Sequence, residues 1–260
     1  MKLKVYVANA FSKKIFGGNP AAVVPLENWL DEELMQQIAA QHNLAETAFI
    51  VPREKDYSIR WFTPIVEVDL CGHATLASAH VMFRHLGYDN DRIIFHSKSG
   101  PLLVSRHQDK ITLDFPTDKP EEVKDDGLIE SALGIKLKSV YISRFDYLAV
   151  LGTQSEIENL NPDLNLVKKL KSRGLIVTAK GDEADFVSRC FFPQSGIDED
   201  PVTGSAHCVL TPYWAKQTGK NKLSAIQLST RRGYLDCELA GDRVLMSGHA
   251  HTYLEGEIFV

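Results

Sequence analysis

The sequence predicts an α+β fold of two related lobes, each with a mixed β-sheet around one long helix. A long internal repeat carries this prediction, together with alternating apolar residues on both sides of one helical segment in each copy. The chain has 260 residues, close to the length at which one hydrophobic core commonly divides into two. Its 44% hydrophobic and 24% charged residues are typical of a folded globular protein and exclude the disordered and collagen-like classes.

The internal repeat spans residues 47–87 and 174–219. Each copy reads as an apolar strand, a polar turn and a second strand that ends in an aromatic-proline corner, at residues 60–64 and 189–193. A polar loop and a small glycine-containing turn then lead into a helix, and two further strands follow that helix. The shared order of these features indicates a duplication.

The spacing between the two copies changes little along the chain. It is 129 residues at Arg60/Arg189, 132 at Gly72/Gly204 and 133 at Gly100/Gly233. One three-residue insertion explains most of this drift. We therefore predict an N-terminal lobe at 1–116 and a C-terminal lobe at 117–260, with the last few residues able to pack on the first lobe.

The elements of each copy follow from the spacing of their apolar residues. Alternation predicts strands at 3–10, 57–62, 101–107, 110–115, 184–192 and 243–248. Helical periodicity predicts helices at 31–42, 73–86 and 204–217. Pro212 should kink the last helix, because proline removes the hydrogen bond to the carbonyl of Cys208.

Charge and composition limit the class of partner. The net charge of 29 − 34 = −5, without a basic stripe, argues against nucleic acid or an anionic membrane as the main partner. No apolar run approaches the roughly 18 residues that cross a bilayer, so we expect a cytoplasmic protein with a small-molecule partner. The four cysteines lack CxxC spacing and no glycine-rich nucleotide motif is present, so neither zinc-ribbon nor nicotinamide chemistry is expected.

Both copies begin their helix after a loop rich in small residues, at Gly72-His73 and at Gly204-Ser205. Such a start presents unpaired N–H groups and the positive end of the helix dipole. Two of these starts facing one ligand would hold a carboxylate or an enolate-like charge without a metal. The alternative is that these glycines only shape a turn.

Four side chains near these turns are candidates for proton transfer and binding: Glu46, His73, Asp200 and Ser205. Glu46 lies where a polar loop enters an apolar strand, a position that can raise the pKa of a carboxyl towards neutrality. His73 starts a predicted helix, where the dipole favours the neutral imidazole. Each residue has a structural alternative, namely an exposed Glu46, a solvent-facing His73, a loop-capping Asp200 and an ordinary helix-start Ser205.

Five motifs in this order resemble the phenazine-biosynthesis PhzF-like family: Gly18–Val23, Leu44–Phe49, Arg60–Pro64, Gly72–Thr75 and Asp200–Ala206. The resemblance covers essentially the whole chain. It implies a diaminopimelate-epimerase-like fold with barrel-like lobes, and an isomerase that needs no cofactor and no metal. It further implies a carboxylate-bearing substrate such as trans-2,3-dihydro-3-hydroxyanthranilate, and a homodimer.

The resemblance also implies roles for individual residues. Glu46 matches the family's general acid/base, which removes a proton from one carbon and returns it to another. His73, Asp200 and Ser205 match its partners in binding and proton handling. The implied substrate-binding residues are Gly72, His73, Gly204, Ser205 and Asn19.

The cysteines separate this chain from the amino-acid racemases of the same fold, which use one thiol from each lobe. Cys71 fits the first position, but residues 201–205 contain no cysteine and Cys208 lies about one helical turn further along. This argues against a two-thiol racemase, although a place beside a helix start favours a lowered pKa for Cys71. The alternatives are an epimerase that pairs Glu46 with Asp200, and a non-catalytic small-molecule-binding protein.

Two further pairs of polar residues have simpler interpretations. His249 and His251 could hold zinc from one strand face, but no third ligand lies nearby in the sequence, so we interpret them as strand-end polar residues. Arg231-Arg232 reads as a basic hairpin turn, and nothing in the sequence supports a role for it in carboxylate binding.

Overall fold

The computed structural model describes residues 1–260, which form two compact units. The first unit contains Met1–Asp114 and Ser247–Val260, and the second contains Phe115–Met246. The second unit thus begins beside the boundary expected at Pro116. Because the chain returns to the first unit at Ser247, that unit is completed by the far end of the sequence.

The elements are numbered here in chain order. The strands are β1 (Lys2–Ala10), β2 (Asn19–Pro25), β3 (Glu46–Arg53), β4 (Asp56–Phe62), β5 (Glu67–Val68), β6 (Arg92–Ser97), β7 (Gly100–His107), β8 (Lys110–Pro116), β9 (Glu121–Val123), β10 (Ser139–Ile142), β11 (Asp146–Val150), β12 (Gly174–Lys180), β13 (Phe186–Phe191), β14 (Lys222–Gln227), β15 (Gly233–Ala240), β16 (Arg243–Gly248) and β17 (Ala250–Phe259). The helices are α1 (Glu32–His42), α2 (Gly72–His85), α3 (Leu128–Leu133), α4 (Gln154–Glu158), α5 (Leu164–Val167) and α6 (Gly204–Thr218), and a short 3₁₀ helix covers Pro193–Ser195. The predicted helices correspond to α1, α2 and α6, with ends that differ by at most one residue.

The two units share one strand pattern. In the first unit β1 pairs antiparallel with β2, β2 parallel with β3, β3 antiparallel with β4, β4 parallel with β6, and β6 antiparallel with β7. In the second unit the pairs β10–β11, β11–β12, β12–β13, β13–β14 and β14–β15 have the same five directions in the same order. A shared succession of parallel and antiparallel pairs is the topology that a duplication produces. β17 adds an antiparallel partner to β1 in the first unit.

Each unit is organised around one buried helix. All residues of α2 from Gly72 to Met82 are buried, and α2 packs against β1, β2 and β3. In α6 the residues from Gly204 to Ala215 are buried except Ser205, and this helix packs against β14 and β15. Both helices are thus buried on every face along these stretches, as a helix enclosed by other elements is.

Pro212 lies inside α6, which continues on both sides of it. A proline has no N–H to donate to the carbonyl four residues earlier, here that of Cys208. The structure shows where that carbonyl finds a donor instead: the backbone N–H of Asp118 donates to it over 3.1 Å. The loss expected from the sequence is therefore compensated from outside the helix. All six helices fall short of the length and apolar character that crossing a membrane requires.

Candidate active site

The first unit brings three predicted site residues together at the start of α2. Asn19 is the first residue of β2, Glu46 is the first residue of β3, and His73 is the second residue of α2. β2 and β3 run parallel, with Ala21 opposite Glu46, so both strands begin at the same edge. The N-terminal ends of two strands and of the buried helix thus supply one cluster.

His73 lies at the centre of this cluster. Its Nε2 is 3.1 Å from Oε2 of Glu46, close enough for an ion pair although these two atoms lack the alignment of a hydrogen bond. Its Nδ1 is 3.1 Å from Nδ2 of Asn19 and 3.6 Å from Sγ of Cys71. Asn19 and His73 are buried, and the Glu46 side chain is 13% exposed. The Glu46 side chain is therefore held beside His73 and remains partly accessible to solvent.

The proton state of His73 differs from the sequence expectation. Burial of the ring lowers its pKa, but the neighbouring Cys71 and Glu46 raise it by more, so the pKa of His73 lies well above its usual value. The expected preference for a neutral imidazole was wrong, because it considered the helix dipole and not the neighbouring Cys71 and Glu46.

The orientation of the Asn19 amide is coupled to this proton. A neutral His73 with a bare Nδ1 accepts a hydrogen bond from the Asn19 NH₂ group, whereas a protonated Nδ1 requires the Asn19 oxygen on that side. An amide can present either atom to the same partner. Asn19 therefore fits both states of the ring and can report which one is present.

Cys71 also departs from the expectation. Burial, followed by the charge of Glu46, raises the pKa of the Cys71 thiol to about 11. The helix start was expected to lower it, but the thiol is enclosed and desolvation disfavours the thiolate. Cys71 is thus a protonated thiol at neutral pH.

The start of α2 and the start of α6 share a second feature. Their N-cap residues, Cys71 and Thr203, make no capping hydrogen bond through their side chains, and neither helix has an acidic residue in its first turn. The short helix α4, by contrast, has a complete capping box. Helix starts left without side-chain caps are where an anionic ligand can bind.

In the second unit, Asp200 belongs to the loop that leads into α6. Its carboxylate accepts a hydrogen bond of 2.5 Å from the Thr203 hydroxyl, and it is buried. The side chain of Gln227 holds both ends of this loop: its oxygen accepts from the Thr203 N–H, and its nitrogen donates to the Asp200 carbonyl, each over 2.8 Å. Sequence reasoning missed Gln227, although a buried glutamine at the end of the apolar strand β14 was a usable signal.

Ser205 contacts two residues that sequence reasoning also missed. Nη2 of Arg173 donates to its hydroxyl over 2.9 Å, and the same guanidinium makes a two-point ion pair with the buried carboxylate of Asp146. Gly204 precedes Ser205 as the first residue of α6. The second unit thus places Gly204, Ser205 and Asp200 at the α6 start, as the first unit places Gly72 and His73 at the α2 start.

Glu46, Cys71 and His73 are also the group that could hold a metal ion, since one ligand atom from each lies within 4.8 Å of the others. Binding there would require Cys71 to lose its proton, which its raised pKa opposes. His249 and His251 form no comparable group, and Nδ1 of His249 instead faces the carbonyl of Asp109 at 3.1 Å.

Comparison with known proteins identifies the family of this chain. A family model described as "Phenazine biosynthesis-like protein" (PhzC-PhzF) matches residues 8–256. The chain belongs to the PhzC-PhzF family. The resemblance identified from the five sequence motifs is therefore confirmed.

Relatives in the PhzC-PhzF family match over nearly the whole chain. One, named an uncharacterized isomerase of Pseudomonas aeruginosa, is 49% identical over 259 residues and covers 99% of both chains. A human protein named "phenazine biosynthesis-like domain-containing protein" is 41% identical over 286 residues, covering 99% of both chains. These names give an isomerase class or a family for the relatives and state no substrate.

Solved structures confirm the predicted α+β fold. The crystal structure of a PhzF family protein from Enterococcus faecalis superposes with a TM-score of 0.98 at 45% identity, covering 100% of both chains. A hydroxyproline epimerase from Agrobacterium vitis superposes with a TM-score of 0.62 at 8% identity, covering 99% of this chain and 92% of that one. The second match shows that PhzC-PhzF proteins share their fold with epimerases.

Proposed function

We propose that this protein is an isomerase that uses Glu46 to move one proton between two carbons of a small carboxylate-bearing substrate, without a cofactor or a metal. The observation that carries the proposal is the contact between Glu46 and the buried His73, 3.1 Å apart at the start of α2. A substrate similar to trans-2,3-dihydro-3-hydroxyanthranilate fits this chemistry, because its conjugated ring can delocalise the electron pair left by a removed proton.

The proposed reaction balances without an oxidant or a second reactant. The Glu46 carboxylate takes a proton from one substrate carbon, and the electron pair of that C–H bond delocalises through the adjoining double bonds. The carboxylic acid so formed returns the proton to a different carbon and becomes a carboxylate again. General acid–base catalysis of this kind supplies about 10²–10⁴-fold, and positioning and charge stabilisation supply the rest.

The proton states in the cluster support a carboxylate base. A raised His73 pKa favours a positive charge on the imidazole, whose Nε2 is 3.1 Å from Oε2 of Glu46. The thiols are poor bases, since burial raises the pKa of Cys71 to about 11 and that of Cys208 to about 12. These values disfavour the two-thiol mechanism of the racemases.

The helix starts suit the stabilisation of negative charge. We assign the N–H groups at Gly72-His73 to a substrate carboxylate or to the charge that develops on the ring, because α2 begins without a capping side chain. We assign the same task to Gly204-Ser205 at the start of α6, and polar-group binding to Asp200 and Asn19.

Solvent deuterium incorporation tests the proposal. The wild-type protein and Glu46→Gln are incubated in D₂O with trans-2,3-dihydro-3-hydroxyanthranilate and with a panel of cyclic dienes and amino acids. We expect isomerised product from the wild type and a loss of about 10²–10⁴ in turnover with Glu46→Gln. The exposed Glu33→Gln on α1 is the matched control and should keep full turnover.

Three other results would redirect the proposal. Turnover by Glu46→Gln at the wild-type rate would remove Glu46 from the proton transfer. Deuterium at an inverted carbon of an amino acid, lost in both Glu46→Gln and Asp200→Asn, would favour an epimerase with two carboxylates. No incorporation from any compound would favour a non-catalytic binding protein.

A further inference from the structure

The internal repeat gives each residue of the first unit a counterpart in the second. Phe49 pairs with Arg60 across β3 and β4, and Val177 pairs with Arg189 across β12 and β13. Matching the two arginines therefore matches the two strand pairs residue by residue. The counterpart of Glu46, three residues before Phe49, is Gly174, three residues before Val177.

The second unit accordingly lacks a carboxylate where the first has Glu46. A side chain cannot be accommodated at Gly174, because a β-carbon would lie 2.2 Å from the Phe192 ring and 2.5 Å from the Phe191 carbonyl oxygen. The residue immediately before it, Arg173, extends instead to Ser205, which is the counterpart of His73 in the central helix. In each unit a side chain at the beginning of this strand contacts the second residue of the buried helix. That side chain is the carboxylate of Glu46 in the first unit and the guanidinium of Arg173 in the second.

We propose that Arg173 and Ser205 form a subsite that binds the carboxylate of the substrate. This inference rests on the proposed function, because it takes the substrate to carry a carboxylate. Nε and Nη2 of Arg173 are engaged by Asp146 and Ser205, whereas Nη1 makes no hydrogen bond and the side chain is 39% exposed. Two N–H donors of a charged group thus remain for a ligand.

Arg189 in the same unit shows what a purely structural arginine looks like. It also makes a two-point ion pair, through Nε and Nη2 to Glu199. Its Nη1, however, donates to the backbone carbonyls of Ile157 and Leu160, over 3.1 and 2.8 Å. The Nη1 donors of Arg189 are used within the fold, while the two Nη1 donors of Arg173 make no hydrogen bond.

The guanidinium of Arg173 is held in place before any ligand arrives. Its central carbon lies 5.1 Å from the centre of the Phe192 ring and 5.7 Å from that of Phe145. The Asp146 carboxylate that anchors it is 2% exposed. A donor fixed on a charged guanidinium suits a carboxylate oxygen, because hydrogen bonds between charged groups are the stronger ones.

Ser205 and the start of α6 complete the subsite. The Ser205 oxygen accepts from Arg173, so its own O–H proton stays available to donate to a second carboxylate oxygen. The two neighbouring acids are already engaged, Asp146 by the inner edge of the guanidinium and Asp200 by the Thr203 hydroxyl. The donors that remain on this side of the guanidinium favour an anion.

A pair of probes that differ only in charge tests the subsite. Anthranilate carries a free carboxylate, and methyl anthranilate carries the same ring with the carboxylate esterified; binding of each is measured by calorimetry. We expect the wild type to prefer anthranilate, and Arg173→Lys to bind it about 10- to 100-fold more weakly, the effect of losing a hydrogen bond between charged groups. Affinity for the ester should change less than about twofold.

Lysine keeps a positive charge beside the buried Asp146, so this variant should fold. A second variant, Arg173→Gln with Asp146→Asn, replaces the ion pair by a neutral pair and should also lose the preference for the acid. Arg189→Lys is the matched control, and its preference should equal that of the wild type. A merely structural role for Arg173 would weaken both probes equally and would overturn the proposal.

Two further outcomes would also overturn it: an unchanged preference in Arg173→Lys, or no preference for anthranilate in the wild type. Glu46→Gln separates this inference from the proposed function, because the subsite requires this variant to keep its preference for anthranilate whether or not the wild type isomerises any compound. An Arg173-dependent preference without turnover would leave the subsite standing while the proposed function fails.

Discussion

The two units share their strand directions, a buried central helix and an arginine–glutamate pair, and they differ in the side chains at the helix starts. In the first, Arg60 makes a two-point ion pair with Glu67 at 2.6–2.7 Å, and its guanidinium carbon lies 5.1 Å from the centre of the Phe62 ring. In the second, Arg189 repeats this with Glu199 at 2.7–2.8 Å and with Phe191 at 5.1 Å. The strand directions and the uncapped central helices also recur.

The side chains at the helix starts differ. The first unit presents a carboxylate, an imidazole and a thiol, and the second presents a guanidinium, a hydroxyl and a different carboxylate. Two copies of one fold can thus keep the interactions that stabilise it and still carry unlike chemistry. The predictions below separate these two groups of interactions, from the largest expected effect to the smallest.

The shared arginine pairs should dominate stability. Replacing Arg189 with Met leaves the Glu199 carboxylate without its counter-charge, and we expect a loss of about 3–5 kcal/mol in the free energy of unfolding. Arg60→Met should cost less, because Lys98 still pairs with the Glu67 carboxylate over 2.6 Å. Urea denaturation measures this loss. Arg84→Met, which breaks an exposed ion pair with Asp109, should cost no more than about 1 kcal/mol. A loss for Arg60→Met as large as that for Arg189→Met would contradict the contribution of Lys98.

The position that separates the units most sharply is Gly174. Gly174→Ala should lower the free energy of unfolding by about 1–3 kcal/mol, because the new methyl group meets the Phe192 ring and the backbone of Phe191. Gly256→Ala is the control, since its nearest neighbour would be a Leu254 methyl carbon at 3.7 Å. Unchanged stability of Gly174→Ala would mean that the second unit can adapt to a side chain where the first carries Glu46.

The charge of His73 should respond to its neighbour Asn19. Asn19→Asp places a second carboxylate against Nδ1, so the pKa of His73 should rise further, by the attraction of an opposite charge within about 4 Å. An NMR titration of the imidazole signals follows this directly and does not depend on turnover. The isosteric Asn19→Leu should move the His73 pKa downwards, and equal shifts in the two variants would contradict the assigned contact.

The smallest effect concerns the dependence of stability on pH. A pKa raised in the folded state adds stability that is fully present below the unfolded value of about 6.5 and is lost as the pH rises through the folded value. The free energy of unfolding should therefore decline from about pH 6.5 upwards, and His73→Gln should decline less. Denaturation series between pH 6 and 9 test this, and parallel curves for the two proteins would refute it.

Much of the architecture was visible in the sequence. The duplication, the ends of α1, α2 and α6, and the small-residue turns at Gly72 and Gly204 follow from local periodicity and from self-comparison. These features depend on neighbouring residues or on repeats of one pattern. The family was recognisable for the same reason, because its motifs are short continuous segments.

Proton states and supporting contacts required the folded structure. The pKa directions of Cys71 and His73 reverse the local expectation. Burial and Glu46 raise the pKa of Cys71, and Cys71 and Glu46 raise that of His73, with Glu46 lying 25 or more positions away in the sequence. Arg173, Asp146 and Gln227 were missed because each works through a residue at least 24 positions away. The sequence by itself determined the duplicated pattern of strands and helices and the candidate acid Glu46, since local patterns encode both. Tertiary structure alone decided which groups carry charge, because charge depends on what lies within a few ångströms after folding.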